Sequence, residues 1–296
     1  MSNLHEHTFA VSGFDGARLS ATYIGRGDAL MRASDGDVPL VLLPGHLRAA
    51  HSLEPLARRL LQRPDGPART LLIDYRGRGP SEPRTDAATY TPRAEAQDAV
   101  SVLDAVNWHH ADIVASGRGG LVALCLSALR PALVRRLVLN DIGPELDGIG
   151  LARLKTSAAR FQLPSDWTEA AEELQQRIGK RYPALSSEDY AELARLTYRE
   201  EDGAPAAALH PTAMEQYASI DADERYPALW PEWRALRRKP VLLLRAENSD
   251  ILTDAVVERM KAAHSDLEIE TVPGQGHAPV LHLDETWPER IASFLS

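Results

Sequence analysis

The chain has 296 residues, of which 44% are hydrophobic and 25% are charged, as in an ordinary globular protein with one large domain or two smaller ones. Its 33 Lys and Arg residues stand against 42 Asp and Glu residues, which gives a formal net charge of −9. This acidic balance argues against binding to nucleic acid, whose phosphates it would repel, and against a basic membrane-surface protein.

Other features of the sequence narrow the class further. A single cysteine, Cys125, cannot form an intrachain disulfide, and no cysteine cluster is present to bind zinc. The first residues have neither the basic start nor the apolar stretch of a signal peptide. No run of about 18 uncharged apolar residues is available to span a membrane. We therefore expect a cytoplasmic protein without a metal or another cofactor.

The chain up to about residue 145 alternates short apolar runs with helical patterns. A turn at 14–16 between two extended runs predicts a hairpin. Four continuous apolar runs, typical of strands that are buried on both faces, lie at 39–43, 69–73, 111–115 and 134–139. Helical patterns separate them, near 53–61, 93–106 and 119–129. This alternation predicts βαβ units and a mostly parallel sheet.

The remaining chain divides into two parts. Residues 145–235 show no comparable strand run and are interpreted as helices interrupted by prolines. Their aromatic residues either form a small core of their own or line an apolar pocket. Strand runs resume at 240–244 and 267–272 before a closing helix at 285–295. We expect an α/β core made of 1–144 and 236–296, with 145–235 inserted as a helical cap.

Two polar residues follow the last two predicted strands. Asp250 comes after 240–244, and His277 comes after 267–272. Catalytic and ligand-binding groups of open α/β sheets gather beyond the carboxyl ends of the strands. A carboxylate there can fix the tautomer of an imidazole, so Asp250 and His277 are predicted to form an acid–base pair. Asp141, at the end of the 134–139 strand, is the alternative acid.

Residues 112–123 read as a strand, a tight turn and the start of a helix, as in the nucleophile elbow of enzymes with a small-x-Ser-x-Gly motif. Here the chain resembles the α/β-hydrolase superfamily, in its esterase- or lactonase-like capped form. Further segments that resemble the family lie at 42–46, 73–81, 139–144 and 272–277. The resemblance implies an α/β-hydrolase fold over nearly the whole chain.

One position departs from that pattern. The small residues of the elbow, Ala115 and Gly119, place residue 117 at the nucleophile position, and this residue is glycine. Glycine has no side chain with which to attack a carbonyl. The adjacent Ser116 is a poor substitute, because its neighbours two residues away are Val114 and Arg118, too large for the turn.

The roles of the other catalytic residues are implied by the resemblance. His277 would act as general base, oriented by Asp250 or by Asp141. The backbone N–H groups of His46 and Arg118 would form the oxyanion hole, which a change at Gly117 need not remove. A glycine-rich phosphate-binding turn is the rival interpretation of 117–122, but a valine stands where its last glycine belongs.

Three functional states remain open at this point. The His–Asp pair can activate a water for hydrolysis of a small ester-, lactone- or diketone-like substrate. The protein can instead be a binding protein that uses the pocket without turnover. A third possibility is an engineered Ser→Gly change at Gly117 in a serine hydrolase. Each state implies a small-molecule partner, and the oligomeric state is not indicated.

Overall fold

The computed structural model describes residues 4–26, 38–219 and 228–296. The described residues form ten strands in chain order: β1 (His5–Ser12), β2 (Arg18–Gly25), β3 (Leu40–Leu43), β4 (Arg69–Asp74), β5 (Ala111–Ser116), β6 (Val134–Asn140), β7 (Arg199–Glu201), β8 (Ala204–Ala206), β9 (Val241–Asn248) and β10 (Leu267–Gly276). They also form ten α-helices: α1 (Glu54–Gln62), α2 (Pro92–Ala105), α3 (Arg118–Leu129), α4 (Gly148–Ala159), α5 (Trp167–Ile178), α6 (Ser187–Thr197), α7 (Pro211–Ala218), α8 (Trp230–Ala235), α9 (Asp254–Ala263) and α10 (Thr286–Leu295).

Eight of these strands form the central sheet, in the order β1-β2-β4-β3-β5-β6-β9-β10. The hairpin of β1 and β2 is antiparallel, and β2 also pairs antiparallel with β4. All other neighbours in this sheet pair in parallel. The prediction of a mostly parallel sheet in an α/β-hydrolase fold is therefore confirmed.

The central strands are apolar throughout because helices cover both faces of the sheet. Within β3, Val41 and Leu43 join a core cluster with α2, α3, α8 and α9, whereas Leu40 and Leu42 join a second cluster with α1 and α10. Side chains alternate across a strand, so each apolar run supplies both clusters. This arrangement accounts for the uninterrupted apolar pattern that the sequence shows at 39–43.

An inserted segment, α4 to α7 with the hairpin β7–β8, separates β6 from β9 in the chain, and we refer to it as the cap. Its helices begin at residues whose side chains accept a hydrogen bond from the first turn, such as Asp147 for α4 and Asp166 for α5. Leu174, Tyr190 and Tyr198 belong to a separate hydrophobic cluster whose buried members, apart from Val280, lie in the cap. Several of the aromatic residues in this segment thus form a small core of their own.

Two details of the segment 145–235 differ from the expectation. The hairpin β7–β8 was not predicted, because its strands have three residues each and β7 is wholly exposed. The helix α8 was assigned to the cap, yet Trp233 is fully buried in the main core cluster. The chain therefore rejoins the core before residue 236. No helix among the described residues is long and apolar enough to cross a membrane.

Candidate active site

The turn between β5 and α3 holds Gly117 in a conformation that few other residues adopt. Gly117 has φ 47° and ψ −119°, and its N–H donates to the carbonyl of Asn140 at 3.0 Å. A positive φ of this kind favours glycine and is strained for other residues. Gly119 is needed for a different reason, since a Cβ there would lie 2.3 Å from the carbonyl oxygen of Leu43. The sharp turn and the close approach of α3 to β3 place Gly117, which is buried, at the carboxyl end of β5.

His277, directly after β10, faces this turn. A Cβ added at Gly117 would lie 3.1 Å from Nε2 of His277 and 3.3 Å from its Cε1. The imidazole is 5% exposed. Its Nε2 atom is therefore directed at the place that a side chain of residue 117 would occupy.

The opposite nitrogen of the ring is bound by Asp141. His277 Nδ1–H donates to Asp141 Oδ2 at 3.0 Å. The same carboxylate, which is fully buried, also accepts the N–H of Ala246 at 2.9 Å and the hydroxyl of Ser249 at 2.8 Å. Because a carboxylate only accepts hydrogen bonds, this contact selects the neutral tautomer that carries its proton on Nδ1, in which Nε2 is an acceptor, as a general base requires.

These contacts contradict the prediction that Asp250 orients His277. Asp250 accepts two hydrogen bonds from the guanidinium of Arg153 on α4, one of them at 2.8 Å. Burial alone would raise the pKa of Asp250, but the hydrogen bonds and charge of Arg153 lower it below its usual value. Asp250 thus connects the core to the cap, and Asp141, the alternative acid, makes the hydrogen bond to His277.

The loop after β3 lies against the same turn. A Cβ on Gly45 would lie 3.2 Å from the carbonyl oxygen of Ser116, so a larger residue would push the two segments apart by a few tenths of an ångström. The next residue, His46, packs its ring 4.6 Å from that of Tyr217. Burial, followed by the charges of Arg118, Arg78 and His277, lowers the pKa of His46 well below its usual value. His46 is therefore neutral at physiological pH.

A network of buried charged residues stabilises the loop that follows β3. Glu95 accepts from Arg118 Nε at 2.9 Å and from Arg78 Nη2 at 3.3 Å, and Tyr217 donates its hydroxyl to the same carboxylate at 3.1 Å. Arg78 also donates to the carbonyls of Gly45 and Arg48, each at 2.6 Å. The network fixes the backbone beside His46. Sequence reasoning missed it, although Arg78 lies within the 73–81 segment that resembles the family.

A cavity of about 130 Å³ opens in front of Gly117 and His277. Core residues form one wall, and the cap supplies the other through α4, α5 and α6. Ser116 borders it as well, and its Oγ accepts a hydrogen bond from Asn140 Nδ2 at 3.2 Å. The polar side chains on its wall include three arginines: Arg48, Arg153 and Arg177. A volume below that of pockets for drug-sized ligands suits a small molecule.

A larger groove of about 1190 Å³ lies elsewhere, between β2 and the cap hairpin. Its walls include Asp74 and Arg195, but neither Gly117 nor His277 borders it. Volume alone does not mark a reactive site, whereas the smaller cavity contains a positioned base. The smaller cavity is therefore the candidate active site.

The comparisons with known proteins agree with the fold. The 3-hydroxybutyrate-oligomer hydrolase of Cupriavidus necator is 29% identical over 251 residues, covering 81% of this chain and 82% of that protein. The 2-(acetamidomethylene)succinate hydrolase of Mesorhizobium japonicum is 28% identical over 256 residues, covering 86% and 85% of the two chains. Each match covers more than four-fifths of this chain.

Solved structures give the same picture. An alpha/beta hydrolase from Novosphingobium aromaticivorans has a TM-score of 0.81 and 28% identity, and the match covers 99% of each chain. The structure of an E-2-(acetamidomethylene)succinate hydrolase has a TM-score of 0.76 and 24% identity over 98% of this chain and 99% of the other. Residues 40–293 match the model of the alpha/beta hydrolase family. The chain therefore belongs to the alpha/beta hydrolase family.

Proposed function

We propose that the protein hydrolyses a small ester-, lactone- or diketone-like substrate by activating a water with His277, without a covalent intermediate. The observation that carries this proposal is the geometry of the imidazole. The Nδ1 atom of His277 lies 3.0 Å from Asp141 Oδ2, and its Nε2 atom lies 3.1 Å from the position that a Cβ of residue 117 would take. The base His277, the carboxylate of Asp141 that orients it and the position of a side chain at residue 117 are thus aligned, although Gly117 supplies no nucleophile.

The reaction follows from this alignment. His277 Nε2 removes a proton from water while the oxygen forms a bond to the substrate carbonyl carbon. The resulting oxyanion accepts hydrogen bonds from the backbone N–H groups of His46 and Arg118, which flank the turn. The tetrahedral intermediate then expels its leaving group, and the imidazolium returns the proton to it. An ester yields an acid and an alcohol, a lactone yields a hydroxy acid, and a diketone yields an acid and a ketone.

The size of the site supports attack by water. The cavity of about 130 Å³ borders both Gly117 and His277, and one water needs only roughly 10–15 Å³ of such space. General-base catalysis contributes on the order of 10²–10⁴-fold in rate, less than a complete triad. The names of the two curated relatives describe hydrolases, which supports the same reaction class for this chain.

The second candidate is a binding protein without turnover. It is favoured by Gly117 itself, because a chain that lacks the nucleophile cannot form an acyl-enzyme. The fully buried carboxylate of Asp141 favours catalysis instead. It accepts three hydrogen bonds, one of which orients the imidazole of His277.

The test is hydrolysis of short-chain 4-nitrophenyl esters and small lactones by the parent chain and by His277→Gln. We expect the parent to exceed the buffer rate and the variant to lose about 100-fold or more in kcat/KM. Mass spectrometry of the parent during turnover should show no acyl adduct, which excludes Ser116 as a nucleophile. Equal rates for the parent and His277→Gln would indicate a binding protein without turnover.

A further inference from the structure

Arg48 is a cation of the cavity that has no carboxylate beside it among the residues that the structure describes. It lies in the loop after β3, and its side chain extends to α6, where it donates to the hydroxyl of Thr197. Within the described part of the chain it forms no ion pair. Tyr182 and Tyr198 are the groups whose charges would favour its charged form, whereas Arg177 opposes it. The hydroxyl of Thr197 is already committed as a donor to the carbonyl of Leu193, at 2.7 Å.

The two other arginines of the cavity are neutralised. Arg153 is paired with Asp250, with one contact at 2.8 Å, and Arg177 is paired with Glu173 at 3.0 Å. Both carboxylates lie behind the cavity wall, because none of the residues that border the cavity in the described structure is an aspartate or a glutamate. The cavity therefore presents one uncompensated positive charge to whatever enters it.

Such a charge is unfavourable in the absence of a ligand. Burial, together with the charge of Arg177, lowers the pKa of Arg48 to about 10. Its guanidinium remains charged at physiological pH but has lost much of its hydration without gaining a counterion. A ligand that brings a negative charge would compensate it, and the gain is largest for a group that accepts two parallel hydrogen bonds.

We propose that Arg48 binds a carboxylate of the substrate, so that the cavity accepts a small carbonyl compound that also carries a free acid group. A single uncompensated charge matches a monoanion better than a phosphate, which carries almost two charges. The cavity of about 130 Å³ limits the acid to a short chain. The catalytic part of this inference rests on the proposed function, whereas the binding of a carboxylate does not require turnover.

The binding test uses butyrate and its neutral analogue butyramide. Calorimetry should give a dissociation constant about tenfold lower for butyrate than for butyramide with the parent chain. Arg48→Met should abolish this preference, and Arg48→Lys should retain only part of it, since the ammonium keeps the charge but loses the planar fork. Arg160→Met, a matched change at an exposed arginine at the C-terminal end of α4, should leave the preference unchanged.

The kinetic test compares mono-4-nitrophenyl glutarate with 4-nitrophenyl butyrate. The ratio of their kcat/KM values should fall about tenfold in Arg48→Met and remain at the parent value in Arg160→Met. Loss of hydrolysis of both esters together with a preserved preference for butyrate would remove the proposed function and leave the carboxylate site in place. Equal affinity of the parent for butyrate and butyramide would overturn the inference, as would a parent-like preference in Arg48→Met. Binding of inorganic phosphate but not of butyrate would also overturn it.

Discussion

The arginines near the candidate active site are neutralised in different ways. Behind the turn, Arg78 and Arg118 share the carboxylate of Glu95, with contacts of 3.3 and 2.9 Å. In front of it, Arg48 borders the cavity and forms no ion pair among the described residues. Arg78 and Arg118 are neutralised within the folded chain, whereas we propose that Arg48 is neutralised by a ligand.

Arg78 and Arg118 therefore stabilise the fold, whereas we propose that Arg48 binds a substrate. A buried cation without a partner lowers the free energy of unfolding, so a fold retains it only where another interaction compensates. The Arg78 side chain meets that condition through Glu95 and through two carbonyls of the loop beside His46. The Arg48 side chain does not, and this contrast leads to the following predictions.

The largest effect is expected on the stability of the fold. Glu95→Gln leaves two buried guanidinium groups without their shared counterion, and we expect the free energy of unfolding to fall by about 3–5 kcal/mol. Urea denaturation followed by circular dichroism measures this loss. The matched control is Glu173→Gln, which removes the partner of Arg177. Because that pair is partly exposed, its loss should cost only about 1 kcal/mol. Equal losses for both variants would contradict the claim that the buried network around Glu95 stabilises the fold more than a partly exposed ion pair does.

The next effect concerns the turn itself. Gly117→Ser should raise the hydrolysis of 4-nitrophenyl acetate by on the order of 10³-fold, because members of a catalytic unit act together and the others are in position. The cost is strain at φ 47°, about 1–2 kcal/mol. The imidazole of His277 must also move by a few tenths of an ångström, since the new Cβ lies 3.1 Å from Nε2.

Gly117→Ala is the matched control for this change, because it adds the same Cβ and the same strain without an oxygen. The double variant Gly117→Ser/His277→Gln shows whether the gain depends on the base. A folded Gly117→Ser protein that is no faster than Gly117→Ala would refute residue 117 as the nucleophile position.

Much of the fold could be predicted from the sequence, because strands buried on both faces leave continuous apolar runs such as 39–43 and 240–244. The strands of the cap hairpin left no such signal, since β7 is three exposed residues and β8 contains Pro205. The end of the cap was also placed too late, because the sequence does not show which core Trp233 joins. Its partners lie far away in the chain.

The candidate site could be predicted in part. Gly117 and His277 lie in motifs whose order along the chain places them at the same edge of the sheet. The identity of the acid could not be derived, because Asp141 and Asp250 both follow strands at that edge. The difference arises from Arg153, a cap residue 97 positions from Asp250 in sequence, which engages that carboxylate. Arg48 gave no signal, since a lone arginine in a loop is indistinguishable from a solvated one.

The most direct test of the central claim compares the two carboxylates in one assay. Asp141→Asn keeps a residue type that tolerates the positive φ of 53° at this position. Its amide oxygen accepts the N–H of Ala246, so its NH2 group replaces Oδ2 and donates to Nδ1 of His277, which moves the ring proton to Nε2. We expect kcat/KM for a short-chain 4-nitrophenyl ester to fall about 100-fold or more, and Asp250→Asn, which releases Arg153, to lose less than about tenfold. A larger loss in Asp250→Asn than in Asp141→Asn would contradict the account that Asp141 positions His277 for the attack of water.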